Sequence, residues 1–251
     1  MTDTGSAELR DVYEDQYSAE GADAACYGAW RAAGAEGKAD HVAVLCASLA
    51  DRPRSLVEVG CGDGVLLEAL ASRGLGDSLH GFDISERAVQ IASGRAAIER
   101  VERFDGRALP AADAAYDLGV LSHVLEHVPD PLPLLCETAR ACRAVVVEVP
   151  LEANCSASRP AAQRGREAIG HLHRFARADV QRLASEAGLR VAGELADPLP
   201  LALHMFWARG LTARARALGK AAARRGLFTV APRTAERAFT VHYAALLVPR
   251  Q

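Results

Sequence analysis

The 251-residue chain predicts a doubly wound α/β fold built on a mostly parallel sheet. Three observations carry that expectation. Short apolar runs alternate with amphipathic stretches from about residue 39 to residue 150, as in a parallel sheet with helices on both faces. A glycine-rich turn, Gly60-Cys61-Gly62-Asp63-Gly64, separates the first apolar run from the amphipathic stretch after it. Acids also recur where the first three runs end, at Glu58, Asp83 and Asp105.

Residues 1–38 read as an acidic N-terminal cap, and 39–251 as the α/β domain. The cap holds Tyr13, Tyr17, Tyr27 and Trp30. Tyr13 and Tyr17 are one helical turn apart, as are Tyr27 and Trp30. These rings either staple the cap to the domain or close over a ligand. Residues 39–51 read as a helix with Val42, Leu45, Cys46 and Leu49 on one face. Leu56–Val59 is the first strand, and the helix after the glycine turn begins at Val65. Leu79–Asp83 reads as the second strand, with Ser85 capping the next helix. Ile98–Phe104 is the third strand candidate, ending at Asp105-Gly106. The fourth strand ends before Ser122 and His123. Ala144–Pro150 is the fifth strand.

Residues 151–175, with Asn154, Ser156, Pro160, Gly165 and Gly170, read as a loop-rich substrate wall. Residues 177–188 form a helix ending at Gly188, followed by a sixth strand, Leu189–Ala196. The last strand is Phe239–Val248. Between these two strands, 197–238 is an insert. Its apolar start (Leu201, Leu203, Met205, Phe206, Trp207) leads into an Arg-rich helix (Arg209, Arg214, Arg216, Lys220, Arg224, Arg225). A solvated basic face is the plain reading, and a substrate lid or dimer contact the functional one.

The glycine turn is a cradle for a nucleotide-type ligand, because glycine lets the backbone turn sharply and approach closely. Its G-x-G-x-G spacing departs from the dinucleotide G-x-G-x-x-G pattern. Glu58, two residues ahead, would repel a pyrophosphate but suits an ammonium or ribose hydroxyls. Asp63 places negative charge at the helix start and reads as an N-cap. Asp83 lies about 20 residues past the loop, where a ribose-binding acid is expected. Asp105-Gly106 alone is an ordinary turn. Three acids at successive strand ends are harder to explain as three separate turns.

In order and spacing, VEVGCGDG (57–64), GFDIS (81–85), FDGRALP (104–110), YDLGVLSHVLEHVPDP (116–131) and HLHRFARADVQRLASEAGLRV (171–191) resemble class I S-adenosylmethionine-dependent methyltransferases. The small-molecule, ubiquinone-type branch is the nearest look. The resemblance implies a Rossmann-like, seven-stranded sheet whose last strand runs antiparallel between strands five and six. It also implies S-adenosylmethionine as cofactor and S-adenosylhomocysteine as product. Glu58, Gly60, Cys61 and Gly62 would hold the methionine end. Asp83 and Ile84 would meet the ribose, and Asp105 and Gly106 the adenine. Ser122 and His123 would lie near the sulfonium, with Tyr17 and Trp30 in the lid. Lys38 matches a basic residue that some relatives aim at the cofactor carboxylate; by itself it reads as a solvated lysine. The chain departs from the family at Ala139-Arg140-Ala141-Cys142-Arg143, where many relatives carry a Lys-Pro-Gly-Gly turn.

Composition narrows the function. Hydrophobic residues make up 50% of the chain, charged residues 24%, and the net charge is −3, as in a soluble globular protein. No apolar run approaches a membrane span, and the polar, acidic start predicts a cytoplasmic protein with no secretory signal. The six cysteines form no C-x-x-C pair, so no zinc site or other metal-ligand set is expected. The negative balance and the separation of aromatic from basic residues disfavour nucleic acid. The expected partner is a small-molecule acceptor, methylated on O or N rather than C, in bacterial secondary metabolism. The expected assembly is a monomer or homodimer. Histidine is the natural base near neutral pH. Among His123, His127, His171, His173 and His204, His171 is the first choice and His127 the second. The competing readings are an NAD-linked oxidoreductase and a non-catalytic partner subunit.

Overall fold

The computed structural model describes Glu14, Tyr17 and residues 22–250, with the backbone alone for residues 22–25 and Tyr27. Tyr13 and the Tyr27 ring therefore lie outside the described residues, as does most of the cap before residue 22. Helix α1 (Ala22–Cys46) is continuous across residue 38. It stops at Cys46 rather than residue 51, where Ser48 turns its hydroxyl onto the Leu45 carbonyl at 2.7 Å.

The core alternation follows in order: β1 (Ser55–Val59), α2 (Val65–Ser72), β2 (Ser78–Asp83), α3 (Glu86–Ser93), β3 (Arg100–Arg103), β4 (Tyr116–Ser122), α4 (Pro131–Ala141) and β5 (Cys142–Pro150). Helices α5 (Pro160–Ala168) and α6 (Arg177–Glu186) come next, then β6 (Leu189–Pro198). The insert holds α7 (Leu201–Phe206), α8 (Gly210–Val230) and α9 (Pro232–Ala238), and β7 (Val241–Pro249) closes the chain. The segment expected to be loop-rich thus contains a helix, α5. Pro160 starts it, because its fixed φ suits a first helical position.

The sheet order is β3-β2-β1-β4-β5-β7-β6. β7 runs antiparallel to both β5 and β6, and the other pairs are parallel. One face is covered through Val57, Leu121, Val145, Val147 and Tyr243. The other, through Leu56, Val120, Val146 and Leu246, takes α1 by Ala39, Val42 and Leu45. Buried apolar runs on both faces are what parallel strands require.

Register sets the functional rim. Glu58 is level with Val120, which is level with Val146, while Ser122 is level with Glu148 and Pro150 with His242. Side chains alternate along a strand. Glu58, Glu148 and His242 therefore share the α1 face, near the carboxyl ends of the parallel strands. There is no glycine turn at the α4–β5 junction. Instead Arg140 bridges Glu137, Asp113 at 2.7 Å and the Ala111 carbonyl at 2.9 Å, and α4 passes directly into β5.

Candidate active site

The glycine loop hangs from the end of β2. The Gly60 and Cys61 amides donate to the Phe82 carbonyl at 2.7 and 3.1 Å, and the Gly62 amide to Asp83 Oδ2 at 2.8 Å. Gly60 and Gly62 have φ of 79° and 54°, a region that suits glycine. Space demands glycine too. A Cβ on Gly60 would run into Val124, and one on Gly62 into the Tyr17 hydroxyl. Asp63 does not cap α2, as its sequence position suggested. Gly64 occupies the cap position with no side-chain bond, and Asp63 is buried against Arg31 of α1 at 2.7 Å.

Asp83 is buried and also accepts from the Ser85 amide at 2.9 Å. Ser85 caps α3 through the Ala88 amide, as its sequence position implies. Ile84 packs against the core beside it. Asp105 is exposed and accepts from the Arg107 and Ala108 amides, so the acid builds its own turn, with Gly106 at φ 79°. Tyr17 and Glu14 reach this side of the rim from the cap. Glu14 accepts from the Glu86 amide at 2.6 Å, and the Arg31 guanidinium lies 4.9 Å from the Tyr17 ring centre. Burial and the nearby Asp83 and Asp63 push the Tyr17 hydroxyl far above its ordinary range. Trp30, on the same helix as Arg31, is 40% exposed.

Glu58 is almost fully buried, and its Oε2 has no hydrogen-bond partner. Burial raises it well above the usual carboxylate range, against the opposing charge of Lys38. Ser122 Oγ is likewise buried and unpartnered. His123 sits at φ 58°, a strained region for a non-glycine residue, and its amide donates to the Glu148 carbonyl at 2.8 Å. Glycine cradle, buried acids and Lys38 fit a compact cationic nucleoside better than a dinucleotide, because orphaned acceptors need donors and positive charge.

Beyond that lie two histidine groups. In the first, His171 Nδ1 bonds Glu152 at 2.8 Å, and the His171 and His127 rings meet edge to face with centroids 4.6 Å apart. His127 Nδ1 bonds the Gly170 carbonyl. Burial drives His127 down to about 4. The two base candidates thus come together, although 44 positions separate them. His173 turns away to the Val128 carbonyl at 2.8 Å. His204 lies on α7, with Nε2 buried and without a hydrogen bond.

The second group surrounds Glu148, which is 1% exposed. His41, His123 and His242 lie 3.2, 3.6 and 3.4 Å from its oxygens. Burial opposes its charge, yet the three imidazoles hold Glu148 well below the usual carboxylate range. Burial and Lys38 lower His123, but Glu126 and Glu148 outweigh them and leave it raised. Glu148 was legible as an acid inside the apolar run Val145-Val146-Val147-Glu148-Val149. His41 and His242 carry no local signal, because strand register and helix docking alone bring them in.

A seven-stranded sheet of this order, with the glycine cradle, Glu58 and Asp83 on its carboxyl rim, defines the class I S-adenosylmethionine-dependent methyltransferases. The chain belongs to the methyltransferase domain family, whose sequence model matches residues 30–193. The ubiquinone biosynthesis O-methyltransferase of Bordetella avium is 35% identical over 99 residues, covering 37% of this chain and 38% of that protein. The chain thus matches about two-fifths of the length of such curated relatives. Geranyl diphosphate C-methyltransferase from Streptomyces coelicolor, solved with Mg2+, geranyl diphosphate and S-adenosylhomocysteine, superposes with a TM-score of 0.61 at 16% identity, over 85% of this chain and 78% of that one. Magnesium protoporphyrin IX methyltransferase from Synechocystis, solved with S-adenosylmethionine, gives 0.59 at 15% identity over 98% and 97%.

Proposed function

We propose that the chain transfers the methyl group of S-adenosylmethionine to an oxygen of a small-molecule acceptor, a bacterial natural product. The observation that carries this reading is the buried, partnerless Glu58 oxygen beside the glycine cradle. The O-methyltransferase names of the curated relatives favour oxygen over nitrogen. When bound, the cofactor supplies an activated methyl group on a sulfonium.

In this reading Glu58, Gly60, Cys61, Gly62 and Lys38 hold the methionine end. Asp83 and Ile84 position the ribose, and Asp105 and Gly106 border the adenine. Ser122 and His123 flank the sulfonium. The cap through residue 38 acts as the lid, with Tyr17 over the loop and Trp30 further along. Alignment supplies the larger part of catalysis, roughly 7–11 kcal/mol in favourable cases. His171, oriented through Nδ1 by Glu152, offers its other ring nitrogen to the acceptor proton, with His127 as the second candidate. No helix among the described residues is long and apolar enough to cross a membrane. A cytoplasmic enzyme, monomeric or homodimeric, is part of the same reading.

Calorimetry with S-adenosylhomocysteine and with NADH tests it. Stoichiometric binding of the first alone is expected. Binding of NADH alone would return the chain to the oxidoreductase reading.

A further inference from the structure

We infer that His123, Glu148 and His242 form a binding site for one divalent transition-metal ion of the zinc type. Three elements contribute: the turn after β4, the end of β5 and the start of β7. One ligand atom from each lies within 4.8 Å of the other two. His123 Nε2 and His242 Nδ1 stand 3.6 and 3.4 Å from Glu148 Oε1. Ligands about 2.0–2.2 Å from a tetrahedral zinc are separated by roughly that amount, about 3.4 Å.

Two of the three atoms, His123 Nε2 and Glu148 Oε1, are buried and make no hydrogen bond. Buried polar atoms are normally satisfied, so a pair of orphans facing each other calls for a shared partner. A cation between them satisfies both.

The surroundings match those of a metal-ligating histidine. Such a ring usually has its other nitrogen held by a carboxylate. Glu126, fully buried, stands in that place at ion-pair distance, with Oε1 3.1 Å from His123 Nδ1 but outside hydrogen-bond geometry. His41 Nδ1 holds the second Glu148 oxygen at 3.2 Å and fixes that carboxylate's orientation. Charge agrees as well. Glu126 and Glu148 are both buried at this rim, and Lys38 is the nearby lysine. Two imidazoles and one carboxylate favour zinc, cobalt or nickel over magnesium. His41, which contacts Glu148, also lines a cavity of about 450 Å³ together with Gly37, Asp197 and Pro200.

What the ion would do rests on the proposed methyl transfer: next to Ser122 it would hold an oxygen of the acceptor. The site itself does not depend on that reading, so its test uses neither cofactor nor acceptor. Tag-free protein is titrated with Co2+ and followed by visible absorption, with Zn2+ and Mg2+ titrated by calorimetry. One Co2+ or Zn2+ per chain is expected, with no comparable Mg2+ binding. Glu126→Gln is expected to weaken the ion about 10–100-fold, as loss of a supporting residue does. His242→Gln and Glu148→Gln should weaken it further, and His171→Asn should leave it unchanged. Melting curves establish that each variant folds. Where Glu148→Gln does not, His242→Gln decides. Substoichiometric binding, or unchanged affinity in His242→Gln, overturns the proposal. Loss in His171→Asn instead would move the ion to Glu126, His127 and His171 and overturn it equally.

Discussion

His127 and His171 touch, yet their surroundings differ. Glu152 holds the His171 ring through Nδ1 at 2.8 Å, which fixes the ring in the orientation the proposed base role needs. His171→Ala is expected to lower turnover by about 10²–10⁴-fold, the usual contribution of a general base. S-adenosylhomocysteine affinity, read by calorimetry, should stay within about twofold. Turnover equal to wild type would remove His171 from the mechanism. His127 is pushed down to about 4 by burial, with His171 adding to the effect and Glu126 opposing it. The folded protein keeps this ring neutral below pH 6.5, while the unfolded chain takes up a proton there. Its contribution is therefore complete above about pH 6.5 and is lost progressively as the pH falls toward 4. In His127→Gln the unfolding midpoint in urea should fall less between pH 7 and pH 5 than in wild type. An unchanged difference would show that other groups set the acid slope.

At the scale of elements, the α4–β5 junction shows how one side chain replaces a glycine turn. Arg140 gathers Glu137, Asp113 and two carbonyls while α4 passes straight into β5. The guanidinium is 34% exposed, so solvent screens its ion pairs. Arg140→Ala is expected to cost about 1 kcal/mol, from several hydrogen bonds to charged partners discounted for exposure. That corresponds to a melting temperature lower by about 2–4 °C for a chain of this size. Arg140→Lys should recover less than half of the loss, because an ammonium lacks the planar fork. Full recovery by lysine would mean that charge alone holds the junction. The same reasoning separates α5 from the loop it was expected to be. Pro160 starts the helix, and buried Arg166 ties it back toward Glu152 at 3.8 Å.

Across the whole molecule, burial is uneven. β5 is almost entirely enclosed between β4 and β7, whereas α8 has no buried residue. It is tethered by Arg225 to Asp197 and by Arg224 stacked 4.9 Å over Phe239. Local opening needs little free energy where few apolar contacts are lost. Hydrogen exchange should therefore find α8 amides exchanging at least about a hundredfold faster than those of Val145–Val149. Equal protection would show that α8 is covered in solution, and would favour the dimer-contact reading of its basic face.

Much of this architecture was legible in the sequence. Alternating apolar and amphipathic stretches, the G-x-G-x-G turn and the Ser85 cap depend on local periodicity and backbone chemistry, which a linear reading contains. Glu58 and Asp83 were legible because strand ends in a parallel sheet all open on one rim. The path of β7 came through the family resemblance, since an antiparallel return leaves no local mark. Tertiary structure decided the rest. It turned Asp63 from a cap into a partner of Arg31, and built α5 where glycine and serine suggested a loop. It also placed His41, His123 and His242 around Glu148, residues spread over 200 positions. Local chemistry determines which segment turns, caps or alternates. Only the sheet register and the docking of α1 determine which distant side chains share a buried space, and there a lone acid in an apolar strand acquires its partners.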